Sequence, residues 1–414
     1  MDSGEWSVLI PSPSTVHHPF AIMSNQDKSS ILSPELKAFY ESHSVNVESL
    51  LVENDASVRF IRLNPRFDKT ETLSLFQEAK PMSIPWLHDK FGFYAIPGSI
   101  KLQQSESFRS GRVYGMDVSS GAAVAVLLSS LYDKEPQFEE RPAPRRVLDI
   151  CCAPGLKLCM ISDLLGDNNS TVVGVDISES RIFLCKNIIK KYHVDTQTSG
   201  KTIDTGATIR LYCEDGVTFG TKTADLVFDS QGAFEETKTA GKRKRMNKSA
   251  RARERKRLKL ISDVKGNDSG TSMEPFDCVL VDAECSTDGS LKHVQQQLKK
   301  ANDKVENQQL TDEKQLEDLV QLQKRLVASG YRLLKPGGIL VYSTCSLSSA
   351  QNEGVVQWLL DKEKDAFLIP LEFDKEKFII EGSIAGTVRF VPSTTDYFCG
   401  GGFFVAKIGK KSFG

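Results

Sequence analysis

The sequence lacks any long apolar run. Its longest stretch of small and aliphatic residues, GAAVAVLL at 121–128, is far shorter than the roughly 20 residues a membrane-spanning helix needs. It also lacks net charge: 53 basic residues meet 54 acidic ones, for a balance of −1. A chain that is not a polycation meets nucleic acid only through a local surface. The nine cysteines follow no regular spacing, which argues against a disulfide framework. The start, MDSGEWSVLI, is acidic and leads into Pro and His rather than an apolar segment, so no secretory leader is visible. These absences describe a soluble, intracellular chain in a reducing compartment. What is present is 414 residues with 40% apolar content, enough for two or three domains and a sizeable core.

Residues 1–30 are rich in Ser and Pro and are expected to be disordered. Residues 31–110 read as a small α+β appendage. SPELKAFYESH has the pattern of a capped helix, VRFIRLN that of a strand, and SIPWLHDKFGFYAIP sets aromatics among turn residues. GMDVSSGAAVAVLLSSLY then reads as a helix leading into a main domain spanning 111–410. From residue 145 the rhythm becomes strand, turn, helix. RRVLDI, TVVGVDI, ATIRLYCED, FDCVLVDA and GGILVYSTCS are five apolar strands, with helical patterns such as SESRIFLCKNIIKKY between them. Near-continuous apolar strands alternating with helices specify an α/β, Rossmann-like parallel sheet covered on both faces. GTVRFVPS and GGFFVAKIGK read as a closing strand pair.

One segment breaks this rhythm. Residues 229–272 are polar, and 242–259 hold eleven basic residues and one acidic. This is a solvated insertion, readable further as a nuclear or nucleolar address or as a phosphate-binding arm. Residues 291–317 read as a long exposed helix without identifiable chemistry.

LDICCAPGLK joins the first of the five strands to a helix, and Pro154–Gly155 makes a tight turn that lets backbone approach a ligand. The GxGxxG pyrophosphate fingerprint is absent. Asp176, Asp215 and Asp282 end the second, third and fourth strands, on the ligand side of an open α/β sheet. Any one of them could be a helix cap; all three together point to a nucleoside. Asp176 is placed to grip a ribose diol and Asp215 to meet an adenine edge. Without a phosphate fingerprint, S-adenosylmethionine (SAM) fits better than NAD.

The fourth and fifth strands end in VDAECST and YSTCS, which puts Cys285 and Cys345 at neighbouring strand ends beside the same crevice. Here the sequence resembles the Sun/RsmB-type (NOL/NOP/Sun) RNA cytosine-C5 methyltransferases. The family pattern D-x-C-A-A-P-G-G-K stands as Asp149-Ile-Cys-Cys-Ala-Pro-Gly-Leu-Lys157, D-A-P-C-S as Asp282-Ala-Glu-Cys-Ser286, and Y-S-T-C-S is matched fully at Tyr342–Ser346. LLKPGG, QNEGVVQWLL and GGFFVAKI are similar to the family as well. The likeness runs from about Gly115 to Lys407, the basic insertion excepted. Leu156 and Glu284 depart from it, where the family has glycine and proline.

The resemblance implies a class I SAM-dependent methyltransferase fold and a set of roles. Cys345 would add to C6 of cytosine and turn the ring into an enamine whose C5 takes the methyl group. Cys285 would assist release. Asp282 would hold the cytosine N3/N4 edge at the border of the cofactor site. Asp176 would hold the ribose and Asp215 the adenine. Cys151, Cys152, Ala153, Pro154, Gly155, Leu156 and Lys157 would cradle the methionine part, with Arg181 completing the cofactor set. No metal is implied. The target base must lie in a loop or be flipped out. The appendage, with Arg59, Arg62, Arg66, Trp86, Phe91 and Phe93, is the expected RNA-holding surface. The implied partner is tRNA or rRNA, with a lean to tRNA. A monomer without membrane contact is expected, in the nucleus or nucleolus, with cytoplasm as the other possibility. The competing reading is a catalytically weak or inactive RNA-binding or ribosome-assembly factor on the same fold. Protein side chains would leave the paired cysteines unexplained, and DNA enzymes of this chemistry carry the nucleophile after the fourth strand.

Overall fold

The computed structural model describes residues 34–43, 45, 58–129, 145–166, 169–193, 206–230, 273–290, 313–373, 376, 378–392 and 401–412. The N-terminal 30 residues, the basic run 242–259 and all of 291–312 lie outside them. The expectations placed there, a disordered N-terminus, a basic insertion and the first part of a long exposed helix, fall outside the described residues.

Two sheets carry the architecture. The smaller is antiparallel and uses β1 (Val58–Leu63), β2 (Met82–Ser83), β3 (Phe93–Pro97) and β4 (Val113–Gly115) in the order β2-β3-β1-β4. The larger uses β5 (Arg146–Ile150), β6 (Thr171–Asp176), β7 (Thr208–Cys213), β8 (Leu226–Asp229), β9 (Phe276–Asp282), β10 (Leu334–Thr344), β11 (Ala366–Ile369), β12 (Ile379–Glu381), β13 (Val388–Phe390) and β14 (Phe403–Lys410). Its order is β12-β13-β14-β10-β9-β5-β6-β7-β8, with β11 also on β14. The ladders from β10 across to β7 are parallel, while β14 and β8 add antiparallel strands outside them. The chain winds one way from β5 to β7 and the other from β9 to β10. The topological switch point, where ligands bind in such sheets, therefore lies between β5 and β9.

Both faces of the sheet are covered. Helices Val118–Leu128, Leu156–Leu165 and Glu179–His193 pack on one core; Glu313–Arg332 and Glu353–Lys362 pack on the other. Helix Val118–Leu128 is apolar on every side and buried almost throughout, as a helix between two sheets must be. Asp117 caps it by accepting the Ser119 N–H at 3.0 Å.

Several of the side chains expected to hold RNA are buried in the small sheet. Trp86, Phe91 and Phe93 are 5%, 6% and 4% exposed and belong to the same core as helix Val118–Leu128. Phe93 packs so closely on Gly121 that a Cβ there would lie 2.2 Å from its ring. Arg62, 2% exposed, donates to Asp163 Oδ2 at 2.7 Å and to the Phe91 carbonyl at 3.2 Å. Arg66 also donates to Asp163, and Arg59 to the Gly98 carbonyl at 3.0 Å. Aromatics among turn residues look like a stacking platform in sequence, but here the large domain covers the sheet and makes them core.

Among the described residues no helix is long and apolar enough to cross a membrane, and no group of three or more His, Cys, Asp or Glu is placed to hold a metal.

Candidate active site

The crevice begins at the turn after β5. Cys151 takes a left-handed φ of 66°, and the Cys152 N–H donates to the Val175 carbonyl at 3.0 Å, tying the turn to β6. Gly155 has φ 106°, and a Cβ there would lie 3.3 Å from the Cys185 backbone, so glycine alone fits. Helix Leu156–Leu165 starts there with no side-chain cap, leaving its first N–H groups free for a ligand. The crevice is lined by Cys151 through Lys157, Asp149 and Asp282, with Gly115, Met116, Asp117 and Ser120 opposite. Leu156, at the family's glycine position, lines the crevice and packs partly on the core behind it.

Asp149 carries no role in the motif comparison, yet it is 1% exposed, lines the crevice, and neither carboxyl oxygen has a hydrogen-bond partner. Burial, reinforced by Asp282, raises its pKa well above the ordinary carboxylate range. The only available signal was an acid inside the otherwise apolar strand VLDI.

Asp176 and Asp215 stand at the ends of adjacent strands, outside that crevice lining. Asp176 Oδ1 accepts the Ser178 N–H at 3.0 Å, and Oδ2 faces Arg181 at 3.4 Å. Arg181 also donates to the Ala153 carbonyl at 3.0 Å, so it braces the turn against β6. Asp215 Oδ1 accepts the Val217 N–H at 2.9 Å. Ile177, beside Asp176, is an aliphatic side chain left 69% exposed.

On the other side of the switch point, Asp282 accepts from Lys157 Nζ at 2.7 Å and from Ser343 Oγ at 2.8 Å. Burial alone would lower the Lys157 pKa, but Asp282 outweighs it and the net shift is upward, so the ammonium persists. The Sγ atoms of Cys285 and Cys345 are 3.1 Å apart. The Cys345 thiol is raised well above its ordinary range by the Cys285 hydrogen bond, then by burial, Cys285's charge, Asp282 and Asp288. Glu284, at the family's proline, has an exposed side chain, while its carbonyl accepts from the buried Gln323 at 2.8 Å.

The QNE triplet after the YSTCS loop fixes three different neighbours. Gln351 exchanges hydrogen bonds with Ser286, at 2.8 and 3.1 Å. Asn352 accepts from Thr344 at 2.6 Å and donates to the Ser346 carbonyl at 2.8 Å. Glu353 pairs with Arg389, which also donates to the Leu347 carbonyl at 2.7 Å.

Residues 220–409 match the family model described as 16S rRNA methyltransferase RsmB/F. The chain is 31% identical over 375 residues, 88% of its length, to ribosomal RNA small subunit methyltransferase F of Vibrio campbellii. It is 26% identical over 333 residues, 79% of its length, to the protein of that name from Klebsiella pneumoniae. The chain is similar to the RsmB/F family. The chain spans 60% and 51% of those two relatives' own length. Its fold is shared with a Pyrococcus horikoshii methyltransferase homolog (TM-score 0.53, 19% identity, 92% of this chain and 100% of that one). It is also shared with NSun6 of the same organism, solved with SFG (TM-score 0.56, 16% identity, 92% and 99%). The fold is thus a class I methyltransferase sheet. The two named relatives are bacterial proteins with ribosomal RNA in their names, and they give no support to the lean toward tRNA or to a nuclear address.

Proposed function

We propose that this chain is a SAM-dependent RNA cytosine-C5 methyltransferase acting through a covalent cysteine adduct, with ribosomal RNA favoured over tRNA by the names of its relatives. The observation that carries it is the Cys285–Cys345 pair, with sulfurs 3.1 Å apart, next to the Lys157–Asp282 ion pair at the switch point.

The residues present fit the cofactor. A helix N-terminus without a cap, the unpartnered Asp149 carboxyl and the backbone of 151–157 surround the crevice. Asp149 and those amides would hold the methionine part. Asp176 would take the ribose hydroxyls, with Ile177 against the adenine face and Asp215 toward its edge. Bound SAM supplies the electrophilic methyl sulfonium.

Cys345 forms the bond to C6, and its proton must first leave. Lys157, a retained cation beside Asp282, stabilises negative charge that develops there. Asp282 accepts from the cytosine amino edge and orients the ring. Once C5 has been methylated, its proton departs to a base; Cys285, touching Cys345, lies where elimination must occur. The thiol–C6 bond then breaks and the electron pair returns to Cys345.

Trapping tests this reading. RNA carrying 5-azacytosine should remain covalently bound to the wild-type protein and not to Cys345→Ala. Cys285→Ala should hold ordinary RNA as a stalled adduct. Absence of any adduct, with cofactor binding intact, would move the protein to the competing class of inactive RNA-binding factors.

A further inference from the structure

Asp288 belongs to neither the cofactor set nor the base-contacting set, yet more hydrogen bonds between the two cysteine loops meet on it than on any reacting group. We propose that Asp288 is a positioning residue: it clamps the Cys285 loop to the Cys345 loop and thereby sets the separation of the two sulfurs. The clamp is geometric, but its catalytic meaning rests on the reading of the thiol pair given above.

Asp288 is 4% exposed. Its Oδ2 accepts from Ser286 Oγ at 2.6 Å and Ser346 Oγ at 3.2 Å, and its Oδ1 accepts the Leu347 N–H at 2.6 Å. Ser286 and Ser346 are the residues directly after the two cysteines, and their hydroxyls are 3.0 Å apart. One carboxylate therefore holds the same position in both loops. The backbone serves the same end. Thr287 takes a left-handed φ of 56°. The Gly289 N–H donates to the Cys345 carbonyl at 3.0 Å, and a Cβ on Gly289 would lie 2.6 Å from that oxygen. The Gly289 carbonyl accepts from Gly402 at 2.8 Å. From the far end of the sequence, the fully buried Tyr40 of helix Pro34–Ser42 donates to the Asp288 carbonyl at 3.1 Å.

Three donors converging on one side chain call for an acceptor with no donor of its own. An ionised carboxylate meets that need, whereas Asn would present an NH₂ to one of the donors. Burial raises the Asp288 pKa, and the bonds from Ser286, Leu347 and Ser346 oppose it. The reaction requires this rigidity. Cys345 is bonded to C6 when Cys285 must act at the neighbouring carbon, so a sulfur displaced by about 1 Å loses the release step before it loses adduct formation.

The test uses the full-length reduced protein and diamide, an azodicarbonyl oxidant. It takes two electrons and two protons from a thiol pair, forming the S–S bond and becoming the hydrazine. Mass mapping follows the Cys285–Cys345 linked peptide. Wild type should couple these two thiols directly. Asp288→Ala should couple them about tenfold or more slowly, and Asp288→Asn and Ser346→Ala less severely. Far-UV circular dichroism and melting identify the folded variants; Ser346→Ala keeps the test open if Asp288→Ala does not fold. On RNA, Asp288→Asn should slow adduct release more than adduct formation, a split that a general loss of stability does not produce. Folded Asp288→Asn and Ser346→Ala proteins that couple the thiols at the wild-type rate would overturn the proposal. So would a wild type that does not couple them. Thiol coupling that depends on Asp288, without any RNA adduct, would sink the methyltransferase reading and leave the clamp standing.

Discussion

At the scale of single residues, the site is set by charges held out of water. Cys345 lies beside Cys285 and faces two carboxylates, and each of them disfavours the thiolate. The thiolate is the reactive form, so the rate of adduct formation should climb with pH through the neutral and mildly alkaline range. Cys285→Ala removes the largest of these causes. Alkylation of Cys345 by iodoacetamide, followed against pH, should then show its midpoint moved downward; an unchanged or higher midpoint would refute this account. Asp149 gives an opposite pairing of effects. Its folded pKa is raised, so the folded state prefers the proton, and stability is lost as pH rises from the ordinary value of 3.8 toward the folded one. Asp149→Asn removes that loss and should melt higher at neutral pH, while binding SAM more weakly by calorimetry. A strand that tolerates an uncompensated buried acid usually does so for a ligand.

At the scale of elements, the two sheets are joined by a buried ion cluster. Asp163 on helix Leu156–Leu165 accepts from Arg62, Arg66 and Tyr114, and faces His193 Nε2 at 3.3 Å. Arg66 donates to His193 Nδ1 at 3.1 Å, which makes Nδ1 the unprotonated nitrogen and leaves Nε2–H toward Asp163. The ring is therefore neutral, and burial lowers its pKa to about 4. Unfolded His193 takes up a proton near 6.5 and the folded ring does not, so stability falls as pH drops from about 6.5 to about 4, by on the order of 3 kcal/mol. Urea unfolding across that window should show the slope, and His193→Gln should flatten it. Asp163 itself is held below its ordinary range by its cations, which adds a loss below about pH 4. Asp163→Ala takes the carboxylate from the buried Arg62 and the half-buried Arg66 and should cost about 3–5 kcal/mol in the same assay. A second joint is apolar: Gly121→Ala drives a methyl into the Phe93 ring and should cost about 1–3 kcal/mol, with the small sheet losing amide-exchange protection first.

At the scale of the whole molecule, one surface of the large sheet organises everything. Strands β5, β6, β7 and β9 all end at the same edge, and reversal of strand order between β5 and β9 opens the crevice there. The small sheet packs behind it on helix Val118–Leu128, whose N-terminal flank, Gly115 to Asp117, forms the opposite wall. The C-terminal strands close the other side, and Gly402 meets Gly289 beneath the thiol loops. The N-terminal helix reaches the same place through Tyr40. Four distant stretches of chain thus converge on two cysteines that are 60 positions apart in sequence.

Much of this was legible in the residues alone, because its causes are local. Short, near-continuous apolar runs between turn residues specify buried strands wherever they fall, so five strands of the parallel sheet and the closing β13–β14 pair could be placed by pattern. A Pro-Gly turn and acids at strand ends could be placed on the ligand side of the sheet, since the topology puts the parallel strand ends on one side. Other features were decided only by packing. The Trp86, Phe91 and Phe93 aromatics could be read in sequence as an RNA-holding surface or as core, and the fold makes them core, because nothing local says which element will cover them. Asp149 and Asp288 look like any other acids in the chain, and the first is buried and unpartnered while the second is clasped by three donors. Burial and partnership belong to pairs of segments rather than to a residue, and they come into being only when the chain has closed on itself.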